Sequence, residues 1–239
     1  MHKDQLYAQP HTTLDHFAFD EQVAAVFPDM IQRSVPGYTA LLHQLSLITT
    51  IYAQPQTTLY DLGCSLGAAS LAMAQGLNQP GCRIIAVDQA PAMIARAKTA
   101  LAAHSTPIEL IEGDINTQPI QQASIVVLNF TLQFIPVEQR LALLRNIHQG
   151  IQPGGILVLS EKIAGDTPAQ DAELIALHHT YKRANAYSDL EISQKRTALE
   201  QVLIPETCQT HEERLQAAGY QHSIRFHQHL NFVSWIAHA

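Results

Sequence analysis

TTLYDLGCSLGAASLAMAQGL, residues 57–77, decides the fold. Its opening residues read as a short strand that ends at Gly63. Cys64, Ser65 and Leu66 then lie between Gly63 and Gly67, and a run of Ala, Leu and Met follows at helical propensity. The two glycines permit a tight turn and let a ligand approach the backbone. The start of the following helix offers free N–H groups to a carboxylate or phosphate. The spacing is not the dinucleotide fingerprint G-x-G-x-x-G.

Working toward the C-terminus, the same alternation repeats. RIIAVD is a second strand and PAMIARAKTALAAH a second helix; IELIEGD is a third strand and ASIVVLNF a fourth. RLALLRNIHQGI is a helix closed by Pro153-Gly154-Gly155, and GILVLSEK a fifth strand. Apolar strands alternating with helices predict an α/β fold, Rossmann-like, with a mostly parallel sheet covered on both faces. Ligands in such folds bind at the carboxyl ends of the strands.

Residues 1–56 read as a helical segment, with one helix in FDEQVAAVFPDMIQRSV broken at Pro28 and a second in YTALLHQLSLITTIYAQ after the Pro36-Gly37 turn. Residues 57–162 form the core. Residues 163–206 break the alternation with two helices and no strand, an inserted helical cap. Residues 207–239 supply a closing helix in THEERLQAAGY, N-capped at Thr210, and a strand pair. All are expected to form one domain.

The 239 residues carry a net charge of −7 without any run of Lys or Arg, which disfavours direct nucleic-acid binding. Three scattered cysteines fit neither a disulfide framework nor a zinc site, and they suit a reducing cytoplasm. MHKDQLYAQPHTTLDH lacks the apolar core of a signal peptide, and no apolar stretch reaches membrane-spanning length. His178 falls on the stripe Leu174–His178–Tyr181 and reads as a hydrogen-bonded core residue. His227 and His229 share one face of a strand but lack a third ligand, so no metal is expected.

Acidic residues recur at the ends of successive strands. Asp88 ends the second, where an acid meets ribose hydroxyls in related folds, and Asp114 follows the third, within reach of an adenine edge. An Asp at a strand end is also an ordinary helix N-cap. The fourth strand opens into Asn129-Phe130-Thr131, a wall with no acid or base in it. Phe130 and Phe134 read as a dry lining or as core, with core the expectation for at least one. Cys64 sits at a helix N-terminus, where a nucleophile is conceivable; a small residue offering its backbone N–H to a cofactor is the simpler reading.

From Thr57 to Lys162 the chain resembles class I S-adenosylmethionine (SAM)-dependent methyltransferases. VFPDMIQRSVPGY, YDLGCSLGAAS, VVLNFTLQF, LVLSEK, YKRAN and DLEISQKR narrow the resemblance to the carboxy-SAM synthase family over nearly the whole chain. That resemblance implies an enzyme of the transferase class that turns SAM and prephenate into carboxy-SAM and phenylpyruvate. The product serves wobble-uridine modification of tRNA by a separate enzyme. It also implies a homodimer. By matching positions, SAM binding falls on Tyr38, Gly63, Cys64, Ser65, Asp88, Gln89, Asp114, Ile115 and Asn129. Tyr38 would face the sulfonium cation. Arg196 matches the arginine that holds the new carboxylate. On a helical projection it shares a stripe with Ile192, Leu199 and Leu203, where an Arg needs an anion or must reach outward; an in-helix pair with Glu200 is the alternative. Arg33 and Lys182/Arg183 are candidates for prephenate. The family carries Asn-Gly-Tyr where this chain has Asn185-Ala186-Tyr187, so Ala186 would be strained if that position needs positive φ. A conventional methyltransferase and a catalytically silent SAM-binding subunit are the competing readings; a buried Arg on the cap would speak against the former.

Overall fold

The computed structural model describes residues 3–10, 17–102 and 108–239. Two N-terminal helices, α1 (Glu21–Ser34) and α2 (Tyr38–Tyr52), precede the core. The core runs β1 (Thr58–Leu62), α3 (Ala68–Gly76), β2 (Arg83–Asp88), α4 (Pro91–Leu101), β3 (Ile108–Glu112), β4 (Ala123–Asn129), α5 (Val137–Gly150) and β5 (Ile151–Lys162). The cap helices are α6 (Pro168–Ala184) and α7 (Asp189–Leu199). The chain closes with α8 (Cys208–Ala218), β6 (His222–His229) and β7 (Phe232–His238). The expected end of the second core helix, at Ala103 and His104, lies outside the described residues.

The seven strands form one sheet in the order β3-β2-β1-β4-β5-β7-β6. β1 to β5 pair in parallel, whereas β7 runs antiparallel to both β5 and β6. The apolar strands are buried on both faces because successive side chains point to opposite sides. Tyr60, Leu62, Val126, Leu128, Leu157 and Leu159 pack with α5 and α8 through Leu143, Leu144, Ile147 and Leu215. Leu59, Ile125, Val127, Ile156 and Val158 pack on the other face with α2 and α3 through Leu45, Ile48 and Met73. Burial lapses at the two edge strands, β3 and β6.

Four local expectations are corrected. α1 is not broken at Pro28 but runs through it. A mid-helix proline costs about 3 kcal/mol. Burial on both sides of it, by Val23, Ala24 and Val26 before and Met30 after, offsets that cost. The Pro153-Gly154-Gly155 run does not precede the fifth strand but lies inside it. The β4–β5 register jumps from Ala123↔Ile151 to Ile125↔Ile156, so these residues loop out of the ladder before regular pairing resumes. The N-cap of α8 is Thr207, whose hydroxyl accepts from the Thr210 N–H, rather than Thr210 itself. Finally, α7 does not bury the stripe containing Arg196. Its buried residues are Ile192, Gln194, Lys195 and Ala198, and Arg196 is exposed.

Candidate active site

A cavity of about 450 Å³ opens at the carboxyl ends of β1, β2 and β4 and is roofed by α1, α6 and α7. That volume is in the range of small-molecule sites. Tyr38, Gly63, Cys64, Ser65, Asp88, Gln89, Asp114, Ile115 and Asn129 all line it. Arg196 does not, although it lies close enough to Lys162, on the cavity wall, to oppose that residue's charge.

The floor is the glycine turn. Gly63 and Gly67 adopt φ values of 81° and 84°. A Cβ on Gly63 would stand 2.4 Å from the Thr131 methyl carbon, so the β1 and β4 loops touch only because it is absent. The turn is held by its own donors: the N–H groups of Gly63 and Cys64 both bond the Val87 carbonyl, at 2.8 and 3.0 Å. The Ser65 N–H bonds Asp88 at 2.8 Å. The backbone N–H of Cys64 is therefore already engaged and does not await a cofactor, contrary to the expectation from sequence. Nor is the side chain a nucleophile, because burial pushes its thiol pKa well up.

With the turn's donors engaged, a ligand here meets acceptors. Asp61 is 1% exposed; one carboxylate oxygen accepts from the Ser70 hydroxyl at 2.6 Å and the other has no partner. Burial raises its pKa to about 6. Asn129 Oδ1 is also buried without a partner. Two orphaned acceptors on one wall are unusual in a folded protein, and a cationic or N–H-bearing ligand would satisfy both. Asp61 is a site residue that sequence reasoning missed. The signal available was a carboxylate inside an otherwise apolar strand.

Asp88 lines the cavity, and its second oxygen accepts from the Ala90 N–H at 2.9 Å. Asp88 is not the N-cap of α4, which is Ala90. Burial raises its pKa. Asp114 is exposed and closes a local turn onto Asn116.

The aromatic wall is tiered. Phe130, at φ 60°, stacks edge-on against Phe232 and lies 6.4 Å from the Tyr38 ring. Phe134 meets Phe19 at 5.3 Å. Both Phe130 and Phe134 line the cavity and neither is fully buried, so the expectation that one is core does not hold. The loop is pinned from below by Glu161, which is fully buried and accepts from the N–H groups of Leu132 and Gln133 at 2.9 Å each. Arg140, equally buried, donates to the carbonyls of Gln133, Ile135 and Ile204 and pairs with Glu206. Glu206 thus bridges Arg140 and Arg214.

His178 is the hydrogen-bonded core histidine expected: its Nε2 lies 2.8 Å from the Ser34 carbonyl oxygen, and burial lowers its pKa to about 3. The His227 and His229 ring centroids lie 4.7 Å apart with the rings tilted by 31°, and Nδ1 of His227 is bonded to Gln44. Among the described residues no group of three or more His, Cys, Asp or Glu is arranged to hold a metal. No described helix is long and apolar enough to cross a membrane. Of the cations suggested for a second substrate, Arg33 is engaged elsewhere: it pairs with Asp29, donates to the carbonyls of Asp4 and Asn185, and stacks 4.0 Å over Tyr187. Arg183 pairs with Asp189 at the surface. Lys182 alone of the three lines the cavity.

A methyltransferase-domain family model matches residues 59–155. A carboxy-S-adenosyl-L-methionine synthase of Geobacter sp. (strain M21) is 56% identical over 237 residues, covering 98% of this chain and 97% of its own. The chain belongs to the carboxy-SAM synthase family. The synthase of Klebsiella pneumoniae (strain 342) is 48% identical, covering 99% of this chain and 96% of its own. Carboxy-SAM synthases are transferases, and this chain is an enzyme of that class. Solved structures share the fold at low identity. Human N-acetylserotonin methyltransferase superposes with a TM-score of 0.62 at 18% identity, covering 91% of this chain and 55% of that one. A possible exported protein from Bordetella parapertussis gives 0.64 at 17%, covering 98% of this chain and 77% of that one. The Rossmann-like methyltransferase fold is thereby shown.

Proposed function

We propose that this enzyme converts SAM and prephenate into carboxy-SAM and phenylpyruvate. The observation that carries the reading is identity of 56% to a carboxy-SAM synthase over essentially the full length of both chains. The cavity supports it. Asp61 and Asn129 present unpartnered acceptors suited to the ammonium and other donors of SAM; Asp88 and Asp114, which line the same cavity, are the residues proposed to take ribose and adenine. Tyr38 and Phe130 offer aromatic faces to a sulfonium cation.

In this reading prephenate aromatises, losing CO2 and its ring hydroxyl as hydroxide. Hydroxide removes a proton from the sulfonium methyl and becomes water. The ylide carbon then bonds to CO2 to give the carboxymethyl sulfonium. The protein positions the partners and keeps bulk water out, which the Phe130 and Phe134 lining favours. Arg196, outside the lining but near Lys162, takes the new carboxylate. The enzyme works as a cytoplasmic homodimer that supplies a tRNA-modifying partner reaction without touching tRNA.

Mass spectrometry of products from SAM with prephenate, beside SAM alone, tests the reading. A SAM species heavier by one carboxyl group, with phenylpyruvate only in the full mixture, is expected. Unchanged SAM refutes it. Arg196→Ala should spare SAM affinity and weaken carboxy-SAM binding; equal loss of both removes Arg196 from this role. Because Arg196 is exposed, it does not speak against a methyltransferase, so the product assay decides that alternative too.

A further inference from the structure

Lys162 at the end of β5, Lys182 on α6 and Lys195 on α7 all line the cavity. Lys182 is 9% exposed and Lys195 6%. Among the described residues, neither Lys162 nor Lys182 has a side-chain hydrogen bond or ion pair. Lys195 Nζ is buried without a hydrogen bond. Its nearest acid, Asp4, is 3.7 Å away and already accepts from the Tyr187 hydroxyl and the Leu6 N–H.

A buried ammonium without a counter-charge, as at Lys182, costs several kcal/mol, and Lys162 and Lys195 lie near enough to repel it further. Burial, with mutual repulsion, lowers Lys182 to about 7; burial also lowers Lys195 to about 8 despite Asp4. A fold that retains such a group retains it for an anion that is not part of the chain. The charge of the cavity is thus divided: carboxylates and orphaned acceptors at the strand ends, ammonium groups beneath the cap.

We propose that Lys162, Lys182 and Lys195 form the binding wall for the carboxylates of a dianionic co-substrate, seating it between the cap and the SAM sulfonium. The inference rests on the reading of that co-substrate as prephenate. An anion on this wall relieves the repulsion among the three lysines and carries the charge that balances the sulfonium. A plain methyl transfer to a neutral acceptor has no use for such a wall.

The test uses protein loaded with S-adenosylhomocysteine, which has no methyl to lose, titrated calorimetrically with prephenate. Lys182→Met and Lys195→Met are each expected to weaken prephenate binding about tenfold or more, as loss of a charge-assisted contact should. S-adenosylhomocysteine affinity should stay within about twofold. Lys182 has no partner to orphan, so its variant should fold even if removing Lys195 unsettles Asp4. In turnover the prephenate KM should rise. Unchanged prephenate affinity in Lys182→Met overturns the proposal, as does a fall in kcat with KM and affinity intact, which would make Lys182 a proton acceptor instead. Wild-type protein that binds prephenate through these lysines yet makes no carboxy-SAM would refute the proposed reaction and leave the wall standing. Wild-type protein that binds no prephenate refutes the wall.

Discussion

Ala186 sits at φ 62° between α6 and α7, where the backbone of Tyr187 donates to the Lys182 carbonyl and Arg33 reaches the Asn185 carbonyl. The left-handed conformation costs an L-residue with a Cβ about 1–2 kcal/mol. Replacing it with glycine removes that penalty but widens the unfolded ensemble, which costs about 0.4–1 kcal/mol. The expected balance for Ala186→Gly is a gain of about 0.5–1 kcal/mol, or roughly 1–4 °C in Tm for a chain of this size. Ala176→Gly is the internal control. Ala176 is exposed within α6, so the same change there should lose about 1 kcal/mol. Urea denaturation of both variants beside the parent, with m-values compared, reads the difference. The two variants should shift in opposite directions. If Ala186→Gly destabilises as much as Ala176→Gly, the turn is not strained and the reasoning from φ fails.

Gly63→Ala should lower SAM affinity by at least about tenfold in calorimetry, because the new methyl meets Thr131 and the residue must also hold positive φ. His178 and His211 are 5% and 2% exposed, and burial lowers their pKa values to about 3 and about 4. Both stay neutral in the fold while the unfolded chain takes up protons below its usual pKa of about 6.5. Their stability is therefore full above that pH and lost as pH falls toward the folded values, by about 1.3 kcal/mol each between roughly pH 7 and 5.5. Denaturant midpoints at the two pH values should show this, and His178→Gln should flatten the dependence. Arg140→Met, which leaves half-buried Glu206 with Arg214 alone and strips the Gln133, Ile135 and Ile204 carbonyls of their donor, should cost about 3–5 kcal/mol in the same assay; a loss under about 1 kcal/mol would count against a structural role.

The core was legible because its strands are apolar on both faces, and a parallel sheet covered by helices is what buries strands that way. The glycine turn, the strand-end acids and Asn129 were legible because each falls where the alternation changes from strand to loop. What escaped depended on neighbours far along the chain. Arg196 and Lys195 are adjacent, and a helical projection from Ile192 chose the wrong one because α7 turns its Lys195 side toward the N-terminal arm. Arg33 was a plausible anion ligand until its contacts with Asp29, Asp4 and Asn185 were visible. Asp61 lies within its strand, not at the strand end where the other acids stood out; only burial and an empty lone pair mark it. Pro28 showed a local rule losing to packing on either side of it.

Arg140 has a wider consequence. One guanidinium ties the β4 loop, the start of α5 and the return from the cap into a single knot, and Glu161 adds two more ties to that loop. Groups held this firmly surrender little freedom when a ligand arrives. The aromatic wall of the pocket is accordingly set in advance. In the reading proposed above, discrimination between co-substrates then rests with Lys162 and Lys182, which have no such ties among the described residues.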